Sequence, residues 1–355
     1  MPGLVLYALL EAVPERSATL SGVGAELWAF LLLAAAGLFQ TAFAIPIKHT
    51  REWRWEQVWA AQSATANVLF PIVWAMSVPR EFWDQARHIP ISHWIACYVW
   101  GLLWGGGGVA YGLALTRLGM AFANSFVIGV SIIAGALLPL TLKAVETSVR
   151  PASFTMGLVL CILCTALLGL FRRQGNQKTW LAMPFRLESY GRVIVIAVVA
   201  GVLSAGYGLA LAFHFETVRA LTGGGISPLS ASLVVLLPVY LGGASVAIPI
   251  ALSCAVKSRT LPLFWRANPV RNWLSAVVMG LCAAGTAVCY NLGSTMREHP
   301  SPNVSFAIFM AFFVVGGVLL GFLTGEMRGS ARSAKIGLLL SAGGLVAAAA
   351  LLNVR

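Results

Sequence analysis

Long apolar runs separated by short polar connections make up most of the chain. A helix needs about 20 mostly apolar residues to cross the hydrocarbon core of a bilayer. Runs of that length recur from end to end, so the pattern predicts an all-α polytopic transmembrane bundle of ten helices. The predicted spans are 26–46, 56–77, 93–115, 118–142, 152–171, 192–213, 227–252, 273–293, 302–324 and 334–353.

The composition agrees with a lipid-embedded chain. Of the 355 residues, 59% are hydrophobic and only 10% are charged. An ordinary soluble domain carries roughly a quarter charged residues, so this chain lacks the charge to cover a water-facing surface. The connections are also too short to form a soluble domain with its own core.

The positive charge is distributed unequally between the two predicted sides of the membrane. The formal net charge is +12, and 16 of the 24 Lys and Arg residues fall on one side. Because the more basic side is normally cytoplasmic, both termini are expected outside. The charge is therefore explained by a lipid bilayer as partner, with no nucleic acid.

A basic linker at 172–191 divides the chain into two halves, 26–171 and 192–355, after an N-terminal segment of unclear role at 1–25. Five spans in each half require the second half to insert upside down, which is the inverted-repeat plan of many secondary transporters. A constant sequence offset supports a duplication. It pairs Gly101, Leu102, Gly106, Val109, Tyr111, Leu113, Thr116 and Asn124 with Gly280, Leu281, Gly285, Val288, Tyr290, Leu292, Thr295 and Asn303.

Glycine and cysteine within the spans indicate packing more than chemistry. The run Gly105–Gly108 marks a place where a helix bends or where backbone lines a cavity. Cys161 and Cys164 form a CxxC inside an apolar span without acidic or histidine neighbours. Buried cysteine usually acts as a small hydrophobe, so no metal and no cofactor are expected. An intramembrane enzyme would need clustered acids or histidines at membrane depth, and the sequence offers none.

Several motifs resemble the L-rhamnose–proton symporter family, a branch of the drug/metabolite transporter superfamily. They are Pro46-x-Lys48-x4-Trp53-x-Trp55-Glu56-x2-Trp59, Trp104-Gly105-x5-Tyr111-Gly112-Leu113-x4-Leu118-Gly119-Met120 and Ser204-Ala205-Gly206. The resemblance implies two inverted five-helix repeats, a bacterial inner membrane and proton-driven uptake of a small neutral sugar, with L-rhamnose the best single candidate. The stretches Gly280–Thr286 and Asn303–Phe306 depart from the family pattern where a substrate or proton site is expected.

A cavity for a polar solute needs uncharged hydrogen-bonding groups and aromatic rings. Stripes of such residues occur at helical spacing, although aromatic residues also anchor helices at the interface and amides also hold helices together. Both interpretations stay open. The predicted substrate-binding residues are Gln40, Asn67, Trp100, Trp104, Tyr111, Asn124, Tyr207, Tyr290 and Asn291.

Energy coupling is less well defined by the sequence. Proton carriers normally use an intramembrane Asp, Glu or His, and every acidic residue here falls in a connection or at a helix end. Glu26 and His214 are the candidates for proton coupling, whereas Glu56 is interpreted as a carboxylate favouring a helix N-terminus. Facilitated diffusion, or coupling to another cation through carbonyl and hydroxyl groups, stays open. An exporter or facilitator of amino acids or other small metabolites is the alternative function. The expected oligomeric state is a monomer or weak dimer.

Overall fold

The structure is a computed structural model, and it describes residues 22–141, 151–172, 190–296, 302–325, 327 and 332–351. Within these ranges all regular secondary structure is helical. Six helices among the described residues are long and apolar enough to cross a membrane. The predicted N-terminal segment and the predicted basic linker lie almost wholly outside the described residues.

Every predicted apolar run falls on one or more helices, while the number of membrane crossings stays a prediction. The first half contains α1 (Gly22–Ala42), α2 (Trp55–Ala64), α3 (Phe70–Ser77), α4 (Arg80–Ala86), α5 (Ile91–Leu118), α6 (Met120–Thr141) and α7 (Pro151–Arg172). The second half contains α8 (Tyr190–Phe213), α9 (Phe215–Gly223), α10 (Pro228–Ala231), α11 (Leu233–Lys257), α12 (Leu263–Arg266), α13 (Pro269–Thr295), α14 (Pro302–Leu323) and α15 (Arg332–Leu351).

One π-helical turn, Thr65–Leu69, joins α2 to α3. The hydroxyl group of Thr65 lies 3.2 and 2.9 Å from the carbonyl oxygens of Ala61 and Gln62 and 2.9 Å from that of Ala276 on α13, so its one proton is shared among three acceptors. Such turns are rare and are frequently found at functional sites, because the extra residue re-aims the side chains around it. Here the turn carries Asn67.

The two halves of the chain are interleaved. α5 packs mainly against α8 and α11, while α13 packs against α1 and the segment formed by α2, the π turn and α3. α6 packs against α8 and α14, and α14 packs against α1. α7 pairs with α15. The buried core therefore consists of contacts between halves as much as contacts within them.

Glycines allow α5 and α11 to touch backbone to backbone. A Cβ atom on Gly101 would collide with the carbonyl group of Val239, and one on Gly105 would lie 2.6 Å from the Cα atom of Gly243. Small residues permit this close approach between helices in lipid. α5 stays helical through all four consecutive glycines and ends at Gly119, whose φ of 80° suits glycine.

Hydrogen bonds tie together the end of the bundle that carries Lys48, Arg54, Lys257 and Arg271, which we call the basic end. Asn272 is fully buried there, and its side chain bonds both the N–H and the carbonyl group of Arg51, at 2.9 and 2.8 Å. The indole N–H of Trp53 donates to the carbonyl oxygen of Leu263 at 2.9 Å. These bonds fasten the segment before α2 to α12 and to the first turn of α13.

The six cysteines are all free and none is exposed. Cys161 donates from its thiol to the carbonyl oxygen of Gly129 at 3.4 Å, and Cys164 packs against Gly344 of α15. Both side chains of the CxxC are therefore used in helix packing, on different neighbours.

Candidate solute-binding cavity

A cavity lies in the middle of the bundle between the two halves. Its walls come from α1, the α2 segment and its π turn, α5, α6, α8, α11, α13 and α14. Its volume is about 130 Å³. No Asp, Glu, Lys, Arg or His is found among the described residues that line it. The cavity therefore suits a small neutral solute.

One wall of the cavity is a group of three aromatic rings from three helices. The indole ring of Trp104 lies 5.4 Å from the ring of Tyr240, edge to face, and 5.5 Å from that of Tyr207. Gly243 gives the indole its space, because a Cβ atom there would lie 2.9 Å from two ring carbons. Contacts between such rings are worth about 0.5–1.5 kcal/mol beyond their buried area. They hold the wall in place without a ligand.

Amide side chains form the polar part of the lining. Gln62 donates a hydrogen bond to the hydroxyl oxygen of Ser63 at 3.1 Å, within the wall contributed by α2. Asn67 projects from the π turn, and Gln40 from the last turns of α1; both line the cavity. Neither of these two amides forms a side-chain hydrogen bond to a described residue. Each keeps two donors and an acceptor for a solute or for water.

A second polar pair stands where α5 meets α6. Tyr111 lines the cavity, and its hydroxyl group donates to Oδ1 of Asn124. Asn124 is fully buried behind it, and its Nδ2 has no hydrogen-bond partner among the described residues. Gly317 of α14 leaves the space that this amide occupies. Asn124 thus fixes the position of the Tyr111 hydroxyl group.

The structure separates the predicted substrate-binding residues into two sets. Gln40, Asn67, Trp104, Tyr111 and Tyr207 line the cavity together. The second set lies outside the lining. It comprises Trp100, stacked 5.5 Å from Phe213; Asn124, behind Tyr111; Tyr290, 5.4 Å from Phe309; and Asn291, which donates to the carbonyl oxygen of Ala287 at 2.7 Å.

The two residues predicted for proton coupling lie away from the cavity. Glu26 is half-buried near the start of α1, and His214 is half-buried between α8 and α9. The ring of His214 lies 4.3 Å from that of His93, and donor atoms of these two histidines and Cys97 lie within 4.8 Å of one another. The nitrogens of His93 already face the carbonyl oxygen of Val234 and the hydroxyl group of Thr217. The group is therefore explained by packing and hydrogen bonding.

Sequence reasoning missed two side chains that matter to this site. Tyr240 completes the aromatic wall, and its only sequence signal is a phenol between Pro238 and Gly242 in an apolar span. Glu56 lies at the basic end of α2, where the sequence suggests an exposed interface, but its side chain is 0% exposed. Its burial depends on the segment after α11, about which local sequence says nothing.

Membrane-length apolar helices around an uncharged polar cavity are the architecture expected of a membrane transport protein. The particular family follows from comparison. The model of the L-rhamnose-proton symport protein (RhaT) family matches residues 22–354, so the chain belongs to this family of transporters. It is a multi-pass protein of the inner membrane.

Named relatives agree with this assignment, and one solved structure shares the fold. The L-rhamnose-proton symporter of Cronobacter sakazakii is 26% identical over 315 residues, covering 86% of this chain and 90% of the relative. Those of Escherichia coli O1:K1 and Shigella flexneri are 25% and 24% identical with the same coverage. A protein crystal structure matches with a TM-score of 0.50 and 18% identity, covering 94% of this chain and 97% of the other. That last likeness concerns the fold alone.

Proposed function

We propose that this protein imports a small neutral sugar, with L-rhamnose the best candidate, together with a proton. The cavity supports this proposal because it combines an aromatic wall with uncharged amides that have hydrogen-bonding capacity left over. Sugars present both hydroxyl groups and apolar faces, so they need both kinds of partner. The relatives named as L-rhamnose-proton symporters supply the particular sugar and the particular ion.

Within the cavity we assign each lining residue a role in holding the sugar. The rings of Trp104 and Tyr207 take an apolar face of the pyranose, while Gln40 and Asn67 bond its hydroxyl groups. Tyr111 adds a hydroxyl group fixed from behind by Asn124. We place the other predicted residues, Trp100, Tyr290 and Asn291, in the packing around the cavity.

The transport cycle we propose is alternating access by two inverted five-helix repeats, as in the drug/metabolite transporter superfamily. The helix pairing supports this architecture, because it is preserved when each helix is exchanged with its counterpart in the other half. Thus the packing of α5 against α8 corresponds to that of α13 against α1. The packing of α6 against α8 corresponds in the same way to that of α14 against α1. The pairs α7–α15 and α6–α14 are each unchanged by this exchange, because their two members are counterparts of each other. We place the basic end in the cytoplasm, since that side carries more positive charge.

Transport into proteoliposomes tests the proposal. Purified protein is reconstituted, and uptake of labelled L-rhamnose is followed with and without an imposed pH gradient that is acidic outside. We expect accumulation above the external concentration only with the gradient, and competition by unlabelled L-rhamnose. Saturable uptake that the gradient leaves unchanged would refute proton symport. Preference for an amino acid over monosaccharides would refute the sugar and favour the metabolite-transporter alternative.

A further inference from the structure

One carboxyl group is buried inside the bundle. The side chain of Glu56, in the first turn of α2, is 0% exposed. Among the described acidic residues it alone is buried. The others are half-buried or exposed, namely Glu26, Glu52, Glu81, Asp84 and Glu216.

The hydrogen bonds of Glu56 leave one of its oxygens unused. Thr260 donates from its hydroxyl group to Oε1 of Glu56 at 2.9 Å, while Oε2 has no partner among the described residues. Gln57 fixes the direction of that hydroxyl group, because its Nε2 donates to the Oγ1 of Thr260 at 2.9 Å and to its carbonyl oxygen at 3.0 Å. The same hydroxyl group also lies 3.4 Å from the carbonyl oxygen of Ala255, so its contact with Glu56 is the shorter of its two donor contacts.

Charges around Glu56 do not neutralise it. No described Lys, Arg or His forms an ion pair with it. On α11 its neighbours are the buried thiol group of Cys254 and, farther out, the exposed Lys257, both of which interact electrostatically with this region. The other described charged or titratable groups on the segments packed at this end are Lys48, His49, Arg51, Glu52, Arg54, Arg117, Arg259, Arg266 and Arg271. An unpaired buried carboxylate is costly, whereas a protonated one costs far less.

Glu56 shares a helical face with residues that line the cavity. Along α2 and the π turn, Trp59, Ser63 and Asn67 follow Glu56 at intervals that keep them on one helical face, and all three line the cavity. Trp59 stacks on Trp55 with ring centroids 5.8 Å apart. Glu56 therefore lies at the basic end, about one helical turn from Trp59 in the cavity lining.

We propose that Glu56 is the proton-binding residue of this transporter, with the proton carried on Oε2. This inference rests on the proposed function of proton symport. The O–H bond forms when the proton arrives from the outer side through the cavity, and it breaks when the proton leaves at the basic end, which restores the carboxylate.

Protonation also changes the contact that closes the basic end. Hydrogen bonds to an ionised acceptor are roughly twice as strong as neutral ones. Loss of the negative charge therefore weakens the bond from Thr260, which joins α2 to the segment after α11. A loaded proton favours separation at the basic end, and its release favours closure again.

The test compares Glu56→Gln with Glu81→Gln, which makes the same chemical change at an exposed site. With one proton per sugar, a gradient of one pH unit sustains about tenfold accumulation. We expect wild-type protein and Glu81→Gln to approach that ratio. Glu56→Gln is expected to reach a ratio near one, while exchange of labelled for unlabelled L-rhamnose without a gradient continues.

Each other outcome has a definite meaning. Accumulation by Glu56→Gln would overturn the inference. Loss of exchange in Glu56→Gln would also overturn it, provided that this variant still shows a thermal shift with L-rhamnose. Accumulation lost in Glu26→Gln or His214→Asn but kept in Glu56→Gln would assign the proton elsewhere. Wild-type protein that exchanges sugar without accumulating it would refute proton symport itself.

A second variant covers the case in which Glu56→Gln does not fold. Glu56→Asp keeps a carboxyl group at the same position with a shorter side chain. We expect it to accumulate L-rhamnose, at a reduced rate. Exchange without accumulation in Glu56→Asp would contradict the inference.

Discussion

The hydroxyl group of Tyr111 on α5 donates a hydrogen bond to Oδ1 of Asn124 on α6. The two residues lie 13 positions apart, on either side of the turn at Gly119. One member of the pair lines the cavity and the other is fully buried behind it. A single bond thus connects the packing of α6 to the surface presented to a solute.

Tyr111→Phe tests this connection. It removes the hydroxyl group and leaves the buried amide of Asn124 without that partner, which costs about 1–3 kcal/mol. We expect a lower melting temperature in detergent and a higher KM for L-rhamnose, with normal membrane insertion. The matched control Tyr98→Phe removes an exposed hydroxyl group that bonds Ser245. An unchanged KM in Tyr111→Phe would remove this hydroxyl group from the binding site.

Trp104→Ala tests the aromatic wall. Truncation removes the ring that joins Tyr207 to Tyr240, and with it the proposed apolar platform. Loss of a ring contact of about 0.5–1.5 kcal/mol predicts a rise in KM of roughly two- to tenfold. Uptake kinetics measure this, and Trp265→Ala, at a ring that is 70% exposed, is the control. Equal KM values in the two variants would contradict the platform.

Gly101→Ala tests the contact between α5 and α11. The added methyl group would overlap the carbonyl group of Val239, which is backbone and has no way to rotate aside. Overpacking of this kind costs about 1–3 kcal/mol or more, so we expect a clear fall in melting temperature. Gly343→Ala is the control, since no atom lies within 4 Å of its new methyl group. Equal stability of the two variants would show that α5 and α11 separate easily.

Asn272→Ala tests the closure of the basic end. The substitution removes the two bonds to Arg51 and a third, at 2.7 Å, to the carbonyl oxygen of Ala267. Leaving buried backbone groups unpaired costs about 1–3 kcal/mol each. We expect lower stability and faster labelling by a membrane-impermeant thiol reagent of a cysteine placed at Ser63, in inside-out vesicles. Ser77→Ala, at an exposed hydroxyl group, serves as control. Labelling at the wild-type rate would contradict a closing role.

Helical periodicity was enough to find much of the cavity. Trp104 and Tyr111 are seven positions apart on one face of α5, beside the glycines, and both line the cavity. Periodicity identifies the face that turns inward but not what that face meets. Asn291 shows the difference, because its amide is buried as expected yet donates to Ala287 of its own helix.

Contacts between segments far apart in the chain could not be predicted from local sequence patterns. Glu56 and Thr260 are 204 positions apart, and the sequence around either residue does not predict contact with the other. The same is true of Trp104 and Tyr240, whose rings meet only because α5 and α11 approach through glycine. Local patterns fix helices and their inward faces, whereas pairing across the two halves depends on the whole fold.

The glycine contact between α5 and α11 limits how the molecule can change shape. Two helices whose main chains touch cannot slide past or tilt away from each other without opening a void along the seam. We therefore expect this pair to travel as one rigid piece during the cycle. Bending must then occur elsewhere, and we expect it at the π turn Thr65–Leu69, since conversion of this turn to regular α-helix would rotate Asn67 relative to the cavity.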